Sequence, residues 1–116
     1  MTTITVIIPT YGRPSALATC LAGLSTQTRP ANEVIVVVRQ GDLASQQVAR
    51  ASDVNARLVF VKSPGVLAAM AEGLLASTSE WVAFTDDDAV ASPQWLSRIE
   101  RLSETAGVVG VGGRDV

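Results

Sequence analysis

Three consecutive aspartates, Asp86, Asp87 and Asp88, follow an apolar and aromatic run in the stretch WVAFTDDDAV, residues 81–90. Neighbouring carboxylates repel one another, so each makes the next harder to ionise. Alternate residues of an extended chain point the same way, so we expect Asp86 and Asp88 to share one side and Asp87 to face the other. Two carboxylates that converge on one point suit a hard divalent cation, which can also hold phosphate oxygens.

A helix cap is the alternative for these acids, with Asp87 or Asp88 merely preceding the next helix. That interpretation would be preferred for a single acid, whereas three acids in a row at the end of a strand favour a ligand site. The chain has no histidine, so the commonest general base and the commonest metal ligand are both absent. Any metal must therefore be bound by oxygen.

Short apolar runs rich in β-branched residues alternate with helical patterns along the chain. Runs that are apolar throughout, rather than alternating with polar residues, are typical of parallel sheets covered by helices. We predict strands over residues 4–9, 33–38, 57–61, 80–85 and 107–113. Helices are predicted over residues 14–25, 43–52, 64–76 and 93–105.

Apolar spacing and proline positions indicate the helix starts and inner faces. The first helix starts at Pro14 and its predicted buried face is Leu17, Cys20, Leu21 and Leu24. The third begins at a Ser-Pro pair, residues 63–64, and its predicted inner face is Leu67, Met70 and Leu74. The fourth begins at a second Ser-Pro pair, residues 92–93, and its predicted inner face is Trp95, Ile99 and Leu102.

The order of these elements predicts the fold class α/β. Alternating strands and helices with right-handed crossovers give an open, mostly parallel, Rossmann-like sheet with helices on both faces. We expect the first strand to be central, with the fourth strand beside it. Residues 1–116 have the length of a single domain, near the commonest domain size, and no linker divides them.

Composition excludes several classes of protein. A hydrophobic fraction of 47% and a charged fraction of 17% are typical of a globular chain rather than a disordered one. A formal charge of -2, without a cluster of basic residues, argues against nucleic-acid binding. The first residues, MTTITVIIPT, lack the basic start and the long apolar stretch of a signal peptide, and no apolar run reaches the ~18 residues that a membrane span needs. The single cysteine, Cys20, is expected to be a small buried hydrophobe, which suits a cytoplasmic protein.

The chain ends on GVVGVGGRDV, residues 107–116, a buried-strand pattern that stops without a polar tail or a following helix. A complete doubly wound domain rarely leaves such an edge exposed. We therefore expect the chain to be the N-terminal part of a longer fold, truncated at its C-terminus. The unpaired apolar edge of this strand is expected to favour self-association.

Ligands of open α/β sheets bind outside the carboxyl ends of the strands. Four stretches are predicted to meet at this edge: PTYGRP at 9–14, RQGD at 39–42, KSPG at 62–65 and TDDDA at 85–89. The aspartates therefore lie where a ligand would bind. Tyr11 is either a flat face for a base or a packed loop residue. Arg13 pairs with a phosphate, pairs with a carboxylate, or is solvated.

The stretches ITVIIPTYGRP, EVIVVV and AFTDDDAVASPQWL together resemble the opening of the family 2 glycosyltransferases, inverting enzymes with a GT-A fold. The resemblance covers essentially all 116 residues. Its most specific parts are the loop after the first strand and the Asp-x-Asp motif after the fourth. It implies transfer of a sugar from a nucleoside-diphosphate sugar to an acceptor that the sequence does not identify.

This resemblance also implies the residues of the site. The nucleotide-sugar pocket would be lined by Pro9, Thr10, Tyr11, Arg13, Asp42, Gly65, Asp86 and Asp87. Asp86 would approach the ribose or its neighbours, and Asp88, together with Asp86, would hold the Mn²⁺ or Mg²⁺ that bridges the donor diphosphate. Such a metal stabilises the negative charge that develops on the leaving phosphate oxygen.

Two stretches depart from the pattern of the family. The family usually carries an acidic pair that reads the base after the second strand, whereas this chain has Arg-Gln at residues 39–40, with Asp42 close enough to substitute. In the third helix the usual Ala-Arg-Asn-x-Gly is replaced by AMAEG at 69–73, which lacks the arginine that could approach the diphosphate. Gly65 and Gly73 remain, and close packing is the simpler interpretation for both.

The resemblance places the general base, an Asp or Glu, beyond Val116, so we expect residues 1–116 alone to be inactive. A nucleotidyltransferase of related topology is one alternative. A non-catalytic nucleotide-binding or subunit-interaction module is another. A phosphoacceptor receiver domain is disfavoured, because Thr10 and Lys62 stand where that domain needs acids.

Overall fold

Four strands and four helices alternate along residues 2–105, the part of the chain that this computed structural model describes. The elements are β1 (Ile4–Pro9), α1 (Pro14–Ser25), β2 (Glu33–Val38), α2 (Leu43–Ala51), β3 (Arg57–Phe60), α3 (Val66–Ala76), β4 (Trp81–Phe84) and α4 (Trp95–Ser103). The predicted alternation is confirmed over this range, and the predicted bounds of α1 and of the first two strands match those observed.

The sheet is parallel, with the strand order β3-β2-β1-β4. The first strand is therefore central and the fourth lies beside it, as predicted. In the register of the sheet, Ile7 of β1 is opposite Ile35 of β2 and Phe84 of β4. The predicted strand over 107–113 and the self-association assigned to its edge lie outside the described residues.

Alternate residues of β1 point into two separate apolar cores. Ile4, Val6 and Ile8 pack with buried residues of α1, α2 and α4 on one face of the sheet. Ile7 packs with residues of β2 and with Ala69 of α3 on the other face. Helices therefore cover both faces, which confirms the predicted fold class. The predicted inner face of α1 is also confirmed, including Cys20, which is 2% exposed.

The predicted inner face of α3 is wrong for its two leucines, while Met70 is half-buried. Leu67 and Leu74 are 79% and 52% exposed, whereas Ala69 and Gly73 are buried against the sheet. A Cβ atom on Gly73 would lie 2.5 Å from Cγ2 of Ile7, so the helix packs too closely for large side chains on that face. Although α3 exposes leucines, none of the helices within residues 2–105 has the length and apolar character to cross a membrane.

Both predicted Ser-Pro helix starts are also wrong, since α3 and α4 each begin two residues after the pair. Gly65, the N-cap of α3, has φ 104°, which is not a helical conformation, so the helix cannot start before the residue that follows. At α4, the carbonyl of Pro93 accepts a hydrogen bond from the Thr28 N–H at 2.8 Å. This carbonyl is therefore bonded to a residue outside the helix, which begins at Trp95.

The fourth helix is held by a buried glutamine. Gln27, 7% exposed, donates through Nε2 to the Ser92 carbonyl at 2.6 Å and accepts at Oε1 from the Leu96 N–H at 3.0 Å. Leu96 is fully buried and was missed by the sequence pattern. Trp95 and Ile99 pack partly against the core as predicted, but Leu102 is 48% exposed.

Candidate functional site

The loop after β1 meets the acids after β4 at the carboxyl edge of the sheet. Thr10 donates through Oγ1 to Oδ2 of Asp87 at 2.8 Å, and both side chains are buried. The backbone supports this contact, because the Thr10 N–H donates to the Val37 carbonyl at 3.0 Å and the Thr85 N–H donates to the Ile7 carbonyl at 3.2 Å. The expectation that residues 10–13 and 86–88 meet at this edge is confirmed.

The expected alternation of the three aspartates is wrong in one respect. Asp86 and Asp88 are exposed and Asp87 is buried, but Asp87 does not point away from Asp88, because one arginine contacts both. Nε of Arg13 lies 3.5 Å from Oδ2 of Asp87, and its Nη1 lies 3.4 Å from Oδ2 of Asp88. The strand ends at Phe84, and the last two aspartates lie in a turn, where strand alternation no longer applies.

The turn itself is fixed through the backbone of Asp86. Its carbonyl accepts from the Ala89 N–H at 3.2 Å and from Sγ of Cys20 at 3.6 Å. The Asp86 carboxylate forms no hydrogen bond or ion pair with the rest of residues 2–105. Of the alternatives for Arg13, the structure therefore has the arginine paired with carboxylates, with its side chain 59% exposed.

Asp42 supports the loop after β1 rather than the pocket. Its Oδ2 accepts from the Gly12 N–H at 2.8 Å, and its Oδ1 accepts from the Ser45 N–H at 3.4 Å, which caps α2. Burial disfavours ionisation of this carboxyl, but the hydrogen bonds from Gly12 and Ser45 outweigh burial and hold the pKa of Asp42 below its usual value. Gly12 has φ 66°, so this turn requires the conformational freedom of glycine.

A pocket of about 230 Å³ opens between the loop after β1 and the start of α3. Four of the predicted residues line one side of it: Pro9, Thr10, Tyr11 and Arg13. The facing wall comes from the loop after β3 and the start of α3, namely Val61, Ser63, Gly65, Val66 and Ala69. Asp87 also lines the pocket, whereas Asp42, Asp86 and Asp88 are not among its lining residues.

A stacked pair forms another part of the wall. The guanidinium carbon of Arg39 lies 3.9 Å from the centroid of the Tyr11 ring, and both residues line the pocket. Tyr11 is 61% exposed, so it is not a packed loop residue. The sequence placed Arg39 at this edge, within RQGD at 39–42, but Arg39 was interpreted as a departure from the family pattern and was missed as a lining residue.

The start of α3 faces the pocket without a side-chain cap. Its N-cap is Gly65, which has no side chain to offer, and Val66 and Ala69 of the first turn line the pocket. The first N–H groups of a helix have no partner within the helix and carry partial positive charge, which favours an anion. Ser63 and Val66 were missed as lining residues, although both follow a strand at the ligand edge.

A divalent cation fits this site only when a bound ligand supplies further oxygen atoms. Within residues 2–105 no three His, Cys, Asp or Glu side chains form a group that could hold a metal. The predicted ligands Asp86 and Asp88 both have exposed carboxylates, and the Asp88 carboxylate is paired with the guanidinium of Arg13. Mg²⁺ usually binds through one or two carboxylates together with phosphate oxygens and water. The donor set therefore suits a cation shared with a phosphate ligand.

Known proteins share both the sequence and the fold of this chain. It is 32% identical to the glycosyltransferase AglE of Haloferax volcanii, over 95% of this chain and 38% of that protein. It is also 32% identical to an uncharacterized glycosyltransferase of Nostoc, over 93% of this chain and 35% of that protein. The chain thus spans less than half the length of these curated relatives.

Among solved structures, the chain resembles the mannosyltransferase PcManGT from Pyrobaculum calidifontis, determined in complex with GDP-Man and Mn²⁺. The TM-score is 0.81 with 25% identity, over 92% of this chain and 34% of that one. Residues 5–115 match the sequence model described as Glycosyl transferase family 2. With the fold, the meeting of the two loops and this match in agreement, the chain belongs to family 2 of the glycosyltransferases.

Proposed function

We propose that this chain binds a nucleoside-diphosphate sugar and forms the donor half of an inverting, metal-dependent glycosyltransferase. The observation that carries the proposal is the junction at Asp87, where Thr10 from the loop after β1 donates at 2.8 Å and Arg13 approaches at 3.5 Å beside an open pocket. The GDP-Man and Mn²⁺ named for the similar mannosyltransferase support the same ligand class.

Each part of such a donor has a chemically suitable wall. The exposed ring of Tyr11 suits the base, since it offers a flat face for stacking, and Arg39 lies beside that ring. The uncapped start of α3, at Gly65 and Val66, suits the diphosphate, because its free N–H groups favour anions. Arg13 adds a positive charge at the same edge.

We assign Asp88 as the main metal ligand and Asp86 as a second one, because both carboxylates are exposed. When bound, Mn²⁺ or Mg²⁺ supplies a Lewis acid that stabilises the charge on the departing diphosphate. Arg13 holds Asp88 in an exposed ion pair, and such pairs contribute little stability, so this carboxylate is available to a cation. Asp87 is buried and accepts a hydrogen bond from Thr10, so we assign it the role of positioning the turn.

Inversion requires one displacement at the anomeric carbon, with a general base that takes the proton of the acceptor hydroxyl. We propose, from the family resemblance, that this base comes from a part of the protein outside residues 1–116.

Calorimetric titration with UDP, GDP and their sugars, in Mn²⁺ or in EDTA, tests the proposal. We expect Mn²⁺ to tighten binding, and we expect Asp88→Asn to remove most of that gain. Asp53→Asn is the matched control, since Asp53 is an exposed acid after the end of α2 and away from the pocket. Absence of nucleotide binding would refute the proposal, and equal effects of the two substitutions would refute the metal assignment.

A further inference from the structure

Arg39 is a half-buried arginine that directly follows β2 and faces the pocket. Its guanidinium carbon lies 3.9 Å from the centroid of the Tyr11 ring. At this distance the guanidinium rests against the face of the ring, and this contact leaves its N–H donors free at the edge of the planar group. The arginine therefore presents donors beside an aromatic surface on which a base can stack.

The backbone of Arg39 is held in place by α2. Its carbonyl accepts from the Asp42 N–H at 3.1 Å and from Nε2 of Gln46 at 3.0 Å. The same Nε2 donates to the carbonyl of Gln40 at 2.8 Å, and Gln46 is 4% exposed. A buried amide thus fixes the turn from which the arginine extends, so its position does not depend on a mobile loop.

The guanidinium of Arg39 has no hydrogen bond or ion pair with any other residue within 2–105. Arg13, which also lines the pocket, is by contrast engaged by two carboxylates. Guanidinium carries five N–H donors in a rigid fork, which matches two neighbouring acceptors on one planar group. The guanidinium of Arg39 is half-buried, lines the pocket and has N–H donors without a partner within residues 2–105. It is therefore suited to bind a ligand group that offers two adjacent acceptors.

We propose that Arg39 selects the base of the nucleotide by donating two hydrogen bonds to adjacent acceptors, so that the site prefers guanine. This inference rests on the proposed function. Guanine offers O6 and N7 side by side, the pair that arginine reads bidentately. Cytosine offers O2 and N3 and ranks second. Uracil separates its two carbonyls by an N–H, and adenine places an amino group beside its acceptors, so each gives one hydrogen bond.

The test is the ratio of affinities rather than any single affinity. Dissociation constants for GDP, CDP, UDP and ADP are measured at fixed Mn²⁺ on the wild type, Arg39→Ala, Arg39→Lys and Arg39→Asp. Arg50→Ala is the control, because Arg50 is an exposed arginine in the last turn of α2. We expect the wild type to bind GDP roughly 10- to 100-fold more tightly than UDP, the range of one bidentate contact.

Arg39→Lys keeps the charge but loses the fork, so it should lose most of the GDP preference, as should Arg39→Ala. Arg39→Asp should favour UDP, whose N–H it can accept, and Arg50→Ala should keep the wild-type ratio. Equal weakening of all four nucleotides by Arg39→Ala would mean a phosphate contact and would overturn the inference. Tight binding without base preference would overturn the inference alone, whereas no binding by any variant would overturn the proposed function as well.

Discussion

The hydrogen bond between Thr10 and Asp87 joins the two loops of the site, so its removal should cost measurable stability. Thr10 is 8% exposed and Asp87 is 2% exposed, and the Oγ1–Oδ2 distance is 2.8 Å. Thr10→Val keeps the shape of the side chain but removes the donor. A hydrogen bond to a charged group contributes about 1.5–3 kcal/mol. We therefore expect the free energy of unfolding to fall by about 2 kcal/mol.

Urea denaturation at neutral pH measures this change, and a melting scan should show a fall in Tm of about 8 °C for a chain of this size. Thr19→Val is the control, because the exposed Thr19 in α1 bonds only the Ser15 carbonyl at 3.2 Å. Its effect should stay within about 0.5 kcal/mol. In a double-mutant cycle with Asp87→Asn, the double mutant should lose less unfolding free energy than the sum of the losses of the two single mutants. A Thr10→Val effect no larger than the control would refute the reasoning.

Three further predictions concern packing, pH and completeness. Gly73→Ala should lower the free energy of unfolding by about 1–2 kcal/mol, because its Cβ would lie 2.5 Å from Cγ2 of Ile7. Gly41→Ala is the control, since a Cβ at Gly41 would have nothing within 4 Å, and urea denaturation should show almost no change for it. The pKa of Asp42 is lowered from 3.8, so its stabilisation is present above that pH and lost as the pH falls through the folded value. Asp42→Asn should therefore destabilise at pH 7 and lose less stability on acidification, which denaturation at both ends of the range would show. Residues 1–116 alone should transfer no sugar from UDP- or GDP-sugar donors, and turnover in a product assay would contradict the assignment of the base to another part of the protein.

The first two strands and α1 were predictable because their signals are repetitive. β1 and β2 are continuous apolar runs, and the buried leucines of α1 recur at helical spacing. The inner face of α3 was not predictable in this way, because spacing rules place large apolar residues inside. Here the close approach of the helix to Ile7 admits only small residues such as Gly73.

The site was predictable at the level of its loops but not of its contacts. Parallel strands bring their carboxyl ends to one edge, which is enough to place Thr10 near the aspartates. The pairing of Arg13 with Asp87 and Asp88 depends on a turn whose geometry no local pattern encodes. The stacking of Arg39 on Tyr11 likewise depends on two loops that are distant in sequence.

Cys20 of α1 and Gln27, two residues after the end of α1, contact the two ends of the segment 86–96. Near the acids, Sγ of Cys20 donates to the Asp86 carbonyl, and at the other end Gln27 bonds the Leu96 N–H. Most of this segment lies between β4 and α4 and has no regular structure of its own, yet it is attached along a buried helix. In hydrogen exchange, its protected amides should open together with α1 as one cooperative unit, and later than a free surface loop would. The turn that carries the acids is therefore attached to α1, which begins beside the pocket, and to the residues just after that helix.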